Sequence, residues 1–251
     1  MPAFAWLSAA SSAVQAASLN LCTDEYLLLL ARPEEIASVS YLSRDPRESS
    51  LWRAARRHRA NRGSLESALQ PRPTLVLTMG GGGRSTALLA RRLGIRVLDL
   101  PYPSTVEDVG RQAVQVAAAL GQPARARPFV RALAELRAAA PASGRDAAFL
   151  GTAGLSLDPK SLGAQWMHLA GYRQRALPGG RLTLEGLAAD PPRWLLRSDY
   201  RQGQWSRGAA WLRHPLVRRL KPRTVAVDGR AWTCGGLPMV AEVRRLKAQR
   251  T

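Results

Sequence analysis

The sequence predicts an α/β protein of two similar lobes, each built on a largely parallel sheet, joined by one long helix. Two observations carry this. The stretch SLESALQPRPTLVL, from Ser64 to Leu77, is written again as TLEGLAADPPRWLL, from Thr183 to Leu196. Leu65 meets Leu184, Glu66 meets Glu185, Pro73 meets Pro192 and Leu77 meets Leu196. On both sides of the middle the order is helix, proline break, strand, loop, helix, strand, the rhythm of parallel strands covered by crossover helices.

The elements follow in order. Ser18–Leu21 reads as a short strand, and Thr23-Asp24 as the cap of a helix that Pro33 stops. Ile36–Ser40 alternates as a strand, and Leu51–Arg59 reads as a short helix. A helix from Leu65, broken at Pro71 and Pro73, leads to a strand over Leu75–Met79. After Gly80–Gly83 come a helix over Ser85–Leu93 and a strand over Arg96–Leu100. Ser104 to Glu107 has the spacing of a capping box and opens a helix to Leu120. After Gln122-Pro123 a second helical stretch reaches Ala140, with Phe129, Leu133 and Leu136 on one face. The β-α rhythm then resumes: strands over Ala147–Gly151, Trp194–Ser198 and Thr224–Asp228, helices over Leu162–Ala170, Leu184–Ala188, a broken Ala209–Leu220 and Pro238–Ala248. The expected boundaries are 17–121 for the first lobe, 122–142 for the connecting helix and 143–251 for the second lobe. A stiff helix between lobes permits only small hinge motions.

Residues 1–16 read as a secretory leader whose basic start is missing. The segment is uncharged, rich in Ala and Ser, and ends in Val14-Gln15-Ala16, with small residues where a signal peptidase reads. No Lys or Arg precedes Arg32, so an ordinary apolar N-terminus is the other reading. Cleavage after Ala16 would leave Ala17 as the mature start. Of the 251 residues, 46% are hydrophobic and 22% charged, an ordinary globular balance. No apolar run has the roughly 18–20 residues of a membrane span.

The formal net charge of +19 invites a nucleic-acid reading, and the distribution argues against it. Arginines are scattered, and the densest cluster, Arg56-Arg57-His58-Arg59, has no interleaved aromatics to stack bases. An anionic ligand or an anionic membrane surface stays open. Catalysis has no obvious machinery. His58, His168 and His214 fall in three different helical contexts, none beside a Ser, Cys or Asp at a strand end. Gly80–Gly83 followed by Arg84-Ser85-Thr86 lacks the lysine and spacing of a P-loop.

SLNLCTDEYLLLL, IASVSYLSRDP, GSLESALQPRPTLVL and the late RAWTCGGLP resemble the periplasmic binding proteins of ABC importers for cobalamin and ferric siderophores. The resemblance runs from about Ser18 to the last helix. It implies two Rossmann-like lobes joined by a long helix, a periplasmic address, and no reaction. It also implies a single copy that hands a small molecule to a permease dimer. A scarcity of His and carboxylates at strand ends speaks against direct binding of a bare metal ion, so the expected ligand is a metal already wrapped in an organic chelate, with no resident cofactor. Corrinoid, ferric siderophore and haem stay open. A secreted or periplasmic α/β enzyme using the same cleft is the alternative from another class, and a basic scaffold protein is a third.

In an open α/β sheet ligands sit beyond the carboxyl ends of the strands. The candidate ligand residues are therefore Cys22, Thr23, Tyr41, Arg44, Gly81, Gly82, Arg84 and Tyr102 in the first lobe. In the second they are Gly154, Tyr200, Trp205, Arg230 and Trp232. The aromatics suit a large, flat, partly apolar ligand, and the arginines suit carboxylate or catecholate oxygens. Cys22 and Cys234 are the only cysteines; an oxidising compartment favours a disulfide between them, while their places in different lobes leave two free thiols, or thiols facing the ligand, equally open. The resemblance further implies that Glu66 and Glu185, each in the short helix before a P-x-L-type strand, dock onto arginines of the permease.

Overall fold

The computed structural model describes residues 14–81, 84–198, 210–220 and 223–249. Five strands, β1 (Ala16–Ser18), β2 (Ile36–Ser40), β3 (Ala60–Asn61), β4 (Leu75–Met79) and β5 (Arg96–Leu100), form one sheet in the order β3-β2-β1-β4-β5. Four more, β6 (Arg145–Leu150), β7 (Tyr172–Gln174), β8 (Trp194–Ser198) and β9 (Thr224–Val227), form a second in the order β7-β6-β8-β9. Every pairing is parallel. With β3 set aside, the two orders are the same. The repeated sequence stretch fills the same slot in each: a short helix, α3 (Leu65–Ala68) or α8 (Leu184–Ala189), followed by the strand beside the lobe's first.

The first lobe holds α1 (Leu21–Leu30), α2 (Trp52–Ala55), α3 and α4 (Arg84–Arg92). Between the sheets lie α5 (Val106–Ala119) and α6 (Arg127–Ala138). The expected connecting stretch, 122–142, holds Pro123–Ala126 as a 3-10 turn running directly into α6. The second lobe holds α7 (Leu162–Leu169), α8, α9 (Pro215–Arg219), α10 (Gly229–Cys234) and α11 (Met239–Ala248). One hydrophobic core passes through both lobes: Leu27, Leu77, Val109 and Val116 join Phe149, Trp166, Leu196 and Val243. Apolar side chains from α1, α5, α6, α7 and α11 fill the space between the sheets, so the lobes share buried surface. Smaller cores lie behind each sheet, around Val76 and Ala90 in the first and Leu150 and Leu187 in the second.

Several elements differ from the sequence reading, each for a local reason. The first strand lies two residues earlier, at Ala16–Ser18, because Asn20 accepts a hydrogen bond from the Thr23 amide and starts α1 at Leu21. The expected leader boundary after Ala16 therefore falls inside β1. Gln15 is itself tied to the sheet, its carbonyl accepting from Thr74 and Leu75 at 2.7 and 3.1 Å. The cap of α5 is Thr105, boxed with Asp108, one residue beyond the expected Ser104 and Glu107. The expected helix over Leu51–Arg59 is the single turn α2, and the chain re-enters the sheet as the two-residue β3. Arg230 to Cys234, expected as a loop, is α10, capped by the Asp228 carboxylate.

Candidate functional site

Parallel strands send all their carboxyl ends one way, and the loops there carry the exposed chemistry. At the end of β2, Tyr41 begins a 3-10 turn and stands 57% exposed. Tyr41, Arg44, Asp45, Pro46, Arg47 and Arg56 line a groove of about 780 Å³. Arg47 grips Asp45 through Nε and Nη2 at 3.1 and 2.7 Å. Arg56 Nε donates to the Arg44 carbonyl at 3.2 Å, while the buried Arg44 Nε has no hydrogen-bond partner among the described residues. Among the described lining residues, three guanidiniums face one carboxylate.

Among the described residues, Arg230 brings the second lobe to this groove. Arg230, in the first turn of α10, holds Asp228 through Nε and Nη2 at 2.8 and 2.7 Å and donates from Nη1 to the Pro46 carbonyl at 2.8 Å. Burial pushes the Asp228 carboxyl up, but the Arg230 hydrogen bonds outweigh it and hold the group below the usual carboxylate range. On the same helix Trp232 packs against Phe149 with ring centroids 5.0 Å apart. Its buried indole nitrogen has no partner among the described residues.

At the end of β5, Tyr102 is 70% exposed and lies on Gly80, where a Cβ would stand 2.3 Å from its ring. Gly80 has φ +87°, so the close approach and the backbone both require glycine. Gln112 of α5 steadies this loop by donating to the Pro101 carbonyl at 2.8 Å.

The lobes are tied at the floor of the cleft. Cys22, in the first turn of α1, and Cys234, the last residue of α10, form a disulfide with Cα atoms 5.3 Å apart. Gln165 of α7 accepts from the Val106 amide and donates to the Ser104 carbonyl, both at 3.1 Å. Beside the disulfide, Asp24 and Glu25 are buried. Asp24 accepts from the Ser40 amide and hydroxyl, yet burial raises its pKa to about 7. Burial, then the neighbouring Asp24 charge, raises Glu25 well above its usual value. A Cβ at Gly236 of the second lobe would stand 2.5 Å from its Oε2, which makes no hydrogen bond among the described residues.

The structure sorts the residues singled out in the sequence. Tyr41 and Arg44 share the groove, Arg230 closes on it, and Trp232 rides on the same helix as Arg230. Thr23 is fully buried, its hydroxyl held by Ser18 and Asn20, so it is framework. Gly154 is also framework: it is buried at φ +76°, with a Cβ position 2.5 Å from the Leu182 carbonyl. Cys22 is committed to the disulfide. Gly81 is exposed, and Arg84 opens α4. Gly82, Tyr200 and Trp205 lie outside the described residues. Arg47 and Arg56 are groove residues that the sequence reading missed. Their signal is the run of arginines on either side of the Asp45-Pro46 turn.

Glu66 and Glu185 are both exposed, each in the first turn of its helix. Ser64 caps α3 through the Ser67 amide, and Thr183 caps α8 through the Gly186 amide at 3.0 Å. Its own amide, then the Ser64 hydroxyl, holds the Glu66 carboxyl below its usual value. His214 caps α9, His58 is half-buried, and His168 lines a second cavity of about 610 Å³ beside α7. Among the described residues no group of three or more His, Cys, Asp or Glu is placed to hold a metal ion, and no helix is long and apolar enough to cross a membrane.

Solved structures with this architecture include the periplasmic heme-binding protein HutB of Vibrio cholerae, with TM-score 0.72 and 21% identity over 95% of this chain and 99% of that one. The periplasmic heme-binding protein BhuT, in complex with two hemes, has TM-score 0.69 and 21% identity over 94% of this chain and 97% of that one. The vitamin B12-binding protein BtuF of Vibrio cholerae has TM-score 0.61 and 16% identity over 93% and 95%. At such identities the likeness is one of fold. No curated protein matches the chain by sequence. The family model described as periplasmic binding protein matches residues 17–173, through the first lobe, α5 and α6 and into the second sheet. With that match over more than half of the chain, and two parallel sheets of matching strand order, the chain belongs to the periplasmic binding protein family.

Proposed function

We propose that this protein is the substrate-binding component of an ABC importer, that it works in the periplasm, and that it carries a metal chelate with carboxylate groups. The observation behind the ligand class is the groove at Tyr41, where Arg44, Arg47 and Arg56 face the Asp45 carboxylate among the described residues, with Arg230, itself paired to Asp228, at the edge. Guanidiniums pair with carboxylates in a fork geometry that neutral chelates do not use. Exposed tyrosines at two strand ends supply flat apolar area for a macrocycle or an aromatic chelator. The fold likeness to heme- and vitamin B12-binding proteins supports a ligand of that size. Of those two, haem, with its propionates, suits the arginines better than the uncharged corrinoid. The protein performs no reaction in this reading. It holds the chelate and presents Glu66 and Glu185, from matched positions in the two lobes, to a two-fold permease.

Thermal unfolding tests this. A ligand at one hundred times its Kd stabilises the folded state by about 2.7 kcal/mol, which a melting curve resolves. Haem and ferric citrate are expected to raise the melting temperature, while cobalamin, cobinamide and neutral ferric hydroxamates leave it unchanged. A shift with the neutral group alone overturns the carboxylate assignment. No shift with any chelate overturns the chelate reading itself.

A further inference from the structure

We propose that the surface from Arg53 to Arg62, formed by α2 and the turn into β3, is a docking face for an anionic lipid bilayer. Between Glu48 and Glu66 the chain has no Asp or Glu, while Arg53, Arg56, Arg57, Arg59 and Arg62 all fall there with His58. All five arginines are exposed. Ala55, on the inner side of α2, is fully buried in the main core and turns the charged side outward. Some arginines elsewhere are neutralised, as Arg131 and Arg244 are by Glu135 and Arg175 is by Asp146 and Asp190, but what sets this stretch apart is five arginines in ten residues with no acid between them. Arg57, Arg59 and Arg62 make no ion pair among the described residues. The local field is felt by His58, whose imidazole is held below its usual pKa by burial and then by Arg57.

Two simpler explanations do not cover the patch. Cations beside an edge strand guard it against pairing with another chain, which accounts for Arg59 and Arg62 flanking β3. It does not account for Arg53, Arg56 and Arg57 on the helix side. Ligand binding in the groove uses Arg44, Arg47 and Arg56, and leaves Arg57, Arg59 and Arg62 outside.

The tryptophan favours a bilayer. Trp52 is half-exposed in the centre of the cations, with the Arg53 and Arg56 guanidiniums 4.5 and 4.6 Å from its ring. A ring already covered by guanidiniums is a poor platform for stacking bases. An indole among arginines is suited to the headgroup layer, where an apolar ring meets phosphodiester charge. The patch also adjoins α3, since the Arg62 amide donates to Ser67 Oγ at 2.9 Å, one residue from Glu66. If Glu66 meets a permease as proposed above, the arginines lie beside it over the lipid. That placement rests on the proposed function, but the lipid contact does not.

Co-sedimentation of the full chain with vesicles tests the proposal. Phosphatidylglycerol–phosphatidylcholine vesicles are expected to bind at low salt and release at high salt, and pure phosphatidylcholine vesicles are expected not to bind. Because a chain this basic is drawn to any anionic surface, the decisive comparison holds net charge constant. The triple variant Arg57→Glu, Arg59→Glu, Arg62→Glu is set against Arg125→Glu, Arg127→Glu, Arg219→Glu, three exposed arginines elsewhere. Each arginine near an anionic surface contributes about fivefold in partitioning, so the patch triple is expected to lose at least about tenfold more than the control. Glutamine at the same three positions is expected to give a smaller loss in the same order, and melting curves report that each variant is folded. Equal losses in both triples, or equal binding to uncharged vesicles, overturn the proposal. So does a single-stranded oligonucleotide binding through these three arginines while vesicles do not.

Discussion

Arg230 and Pro46 stand 184 positions apart in the chain and 2.8 Å apart in space, guanidinium to carbonyl. Asp228 holds the guanidinium plane, so one side chain carries the second lobe onto the rim of the groove. Arg230→Ala is expected to cost about 1.5–3 kcal/mol in urea denaturation, the range for a hydrogen bond to a charged group, and to weaken chelate binding. Arg230→Lys recovers little, because an ammonium cannot serve the Asp228 fork and the Pro46 carbonyl together. Unchanged stability and affinity in both variants would show that the contact contributes nothing.

The Cys22–Cys234 disulfide closes nearly the whole folded chain, with a sequence separation of 212. Constraining so long a loop in the unfolded state, the expected effect of Cys22→Ser or Cys234→Ser is a loss of about 2–4 kcal/mol. Dithiothreitol is expected to lower the melting temperature of the parent and leave both variants unaffected. Two alkylatable thiols in the unreduced protein would contradict the bridge.

Asp24 makes stability depend on pH. Its folded pKa of about 7 lies above the ordinary 3.8, so the folded state keeps a proton that the unfolded state has released. Stability contributed by this group is complete below about pH 4 and is lost as pH rises through 7, a change on the order of 4 kcal/mol at most. Glu25, raised as well, acts in the same direction. His58, held low, works the other way as pH falls through its ordinary 6.5. The clean comparison is therefore with Asp24→Asn. The parent is expected to have a lower urea midpoint at pH 8 than at pH 5, and the variant a markedly smaller difference. An identical difference in both would exclude Asp24 as its source.

Gly80→Ala is expected to displace Tyr102. The new Cβ would overlap the ring, and the backbone at φ +87° disfavours any side chain. Because Tyr102 is exposed, it gives way at a modest cost, about 1 kcal/mol, set mainly by the backbone. Chelate affinity falls with it if the ring contacts the ligand. A variant with reduced stability and unchanged affinity would remove Tyr102 from the site.

Glu66→Arg together with Glu185→Arg is expected to leave chelate affinity unchanged, to lower the melting temperature slightly by putting cations at two helix starts, and to stop uptake through the cognate permease. Both residues are exposed and neither lines the groove. Added salt is expected to weaken docking of the parent, because exposed ion pairs are screened. Normal uptake by cells carrying the double variant would leave the two glutamates as helix-start residues alone.

Much of this was readable in the chain. The repeat of Ser64–Leu77 at Thr183–Leu196 marks two topologically matched helix–strand units, and both sheets are parallel with their first strand in the interior. Five-residue strands such as Leu75–Met79 and Trp194–Ser198 declare themselves by a leading run of three apolar residues. The two-residue β3 and the three-residue β7 do not, because so few residues carry no periodicity and only the neighbouring strand makes them strands. At the site, Tyr41, Arg44, Tyr102 and Arg230 were legible as polar or aromatic groups at strand ends. Thr23 and Gly154 were legible only as positions. Their burial depends on Ser18, Asn20 and Leu182, contacts that spacing alone does not disclose.

The polarity of β1 has a practical consequence. The chain enters its sheet at Gln15 and Ala16, in the middle of five parallel strands, and the loops that carry Tyr41 and Tyr102 leave from the opposite ends of those strands. An attachment made ahead of Val14 therefore joins the body on the side away from the groove. A molecule captured on a sensor chip by a tag placed there would present Tyr41, Tyr102 and Arg230 to the flowing solution, leaving chelate binding to be measured on the immobilised protein.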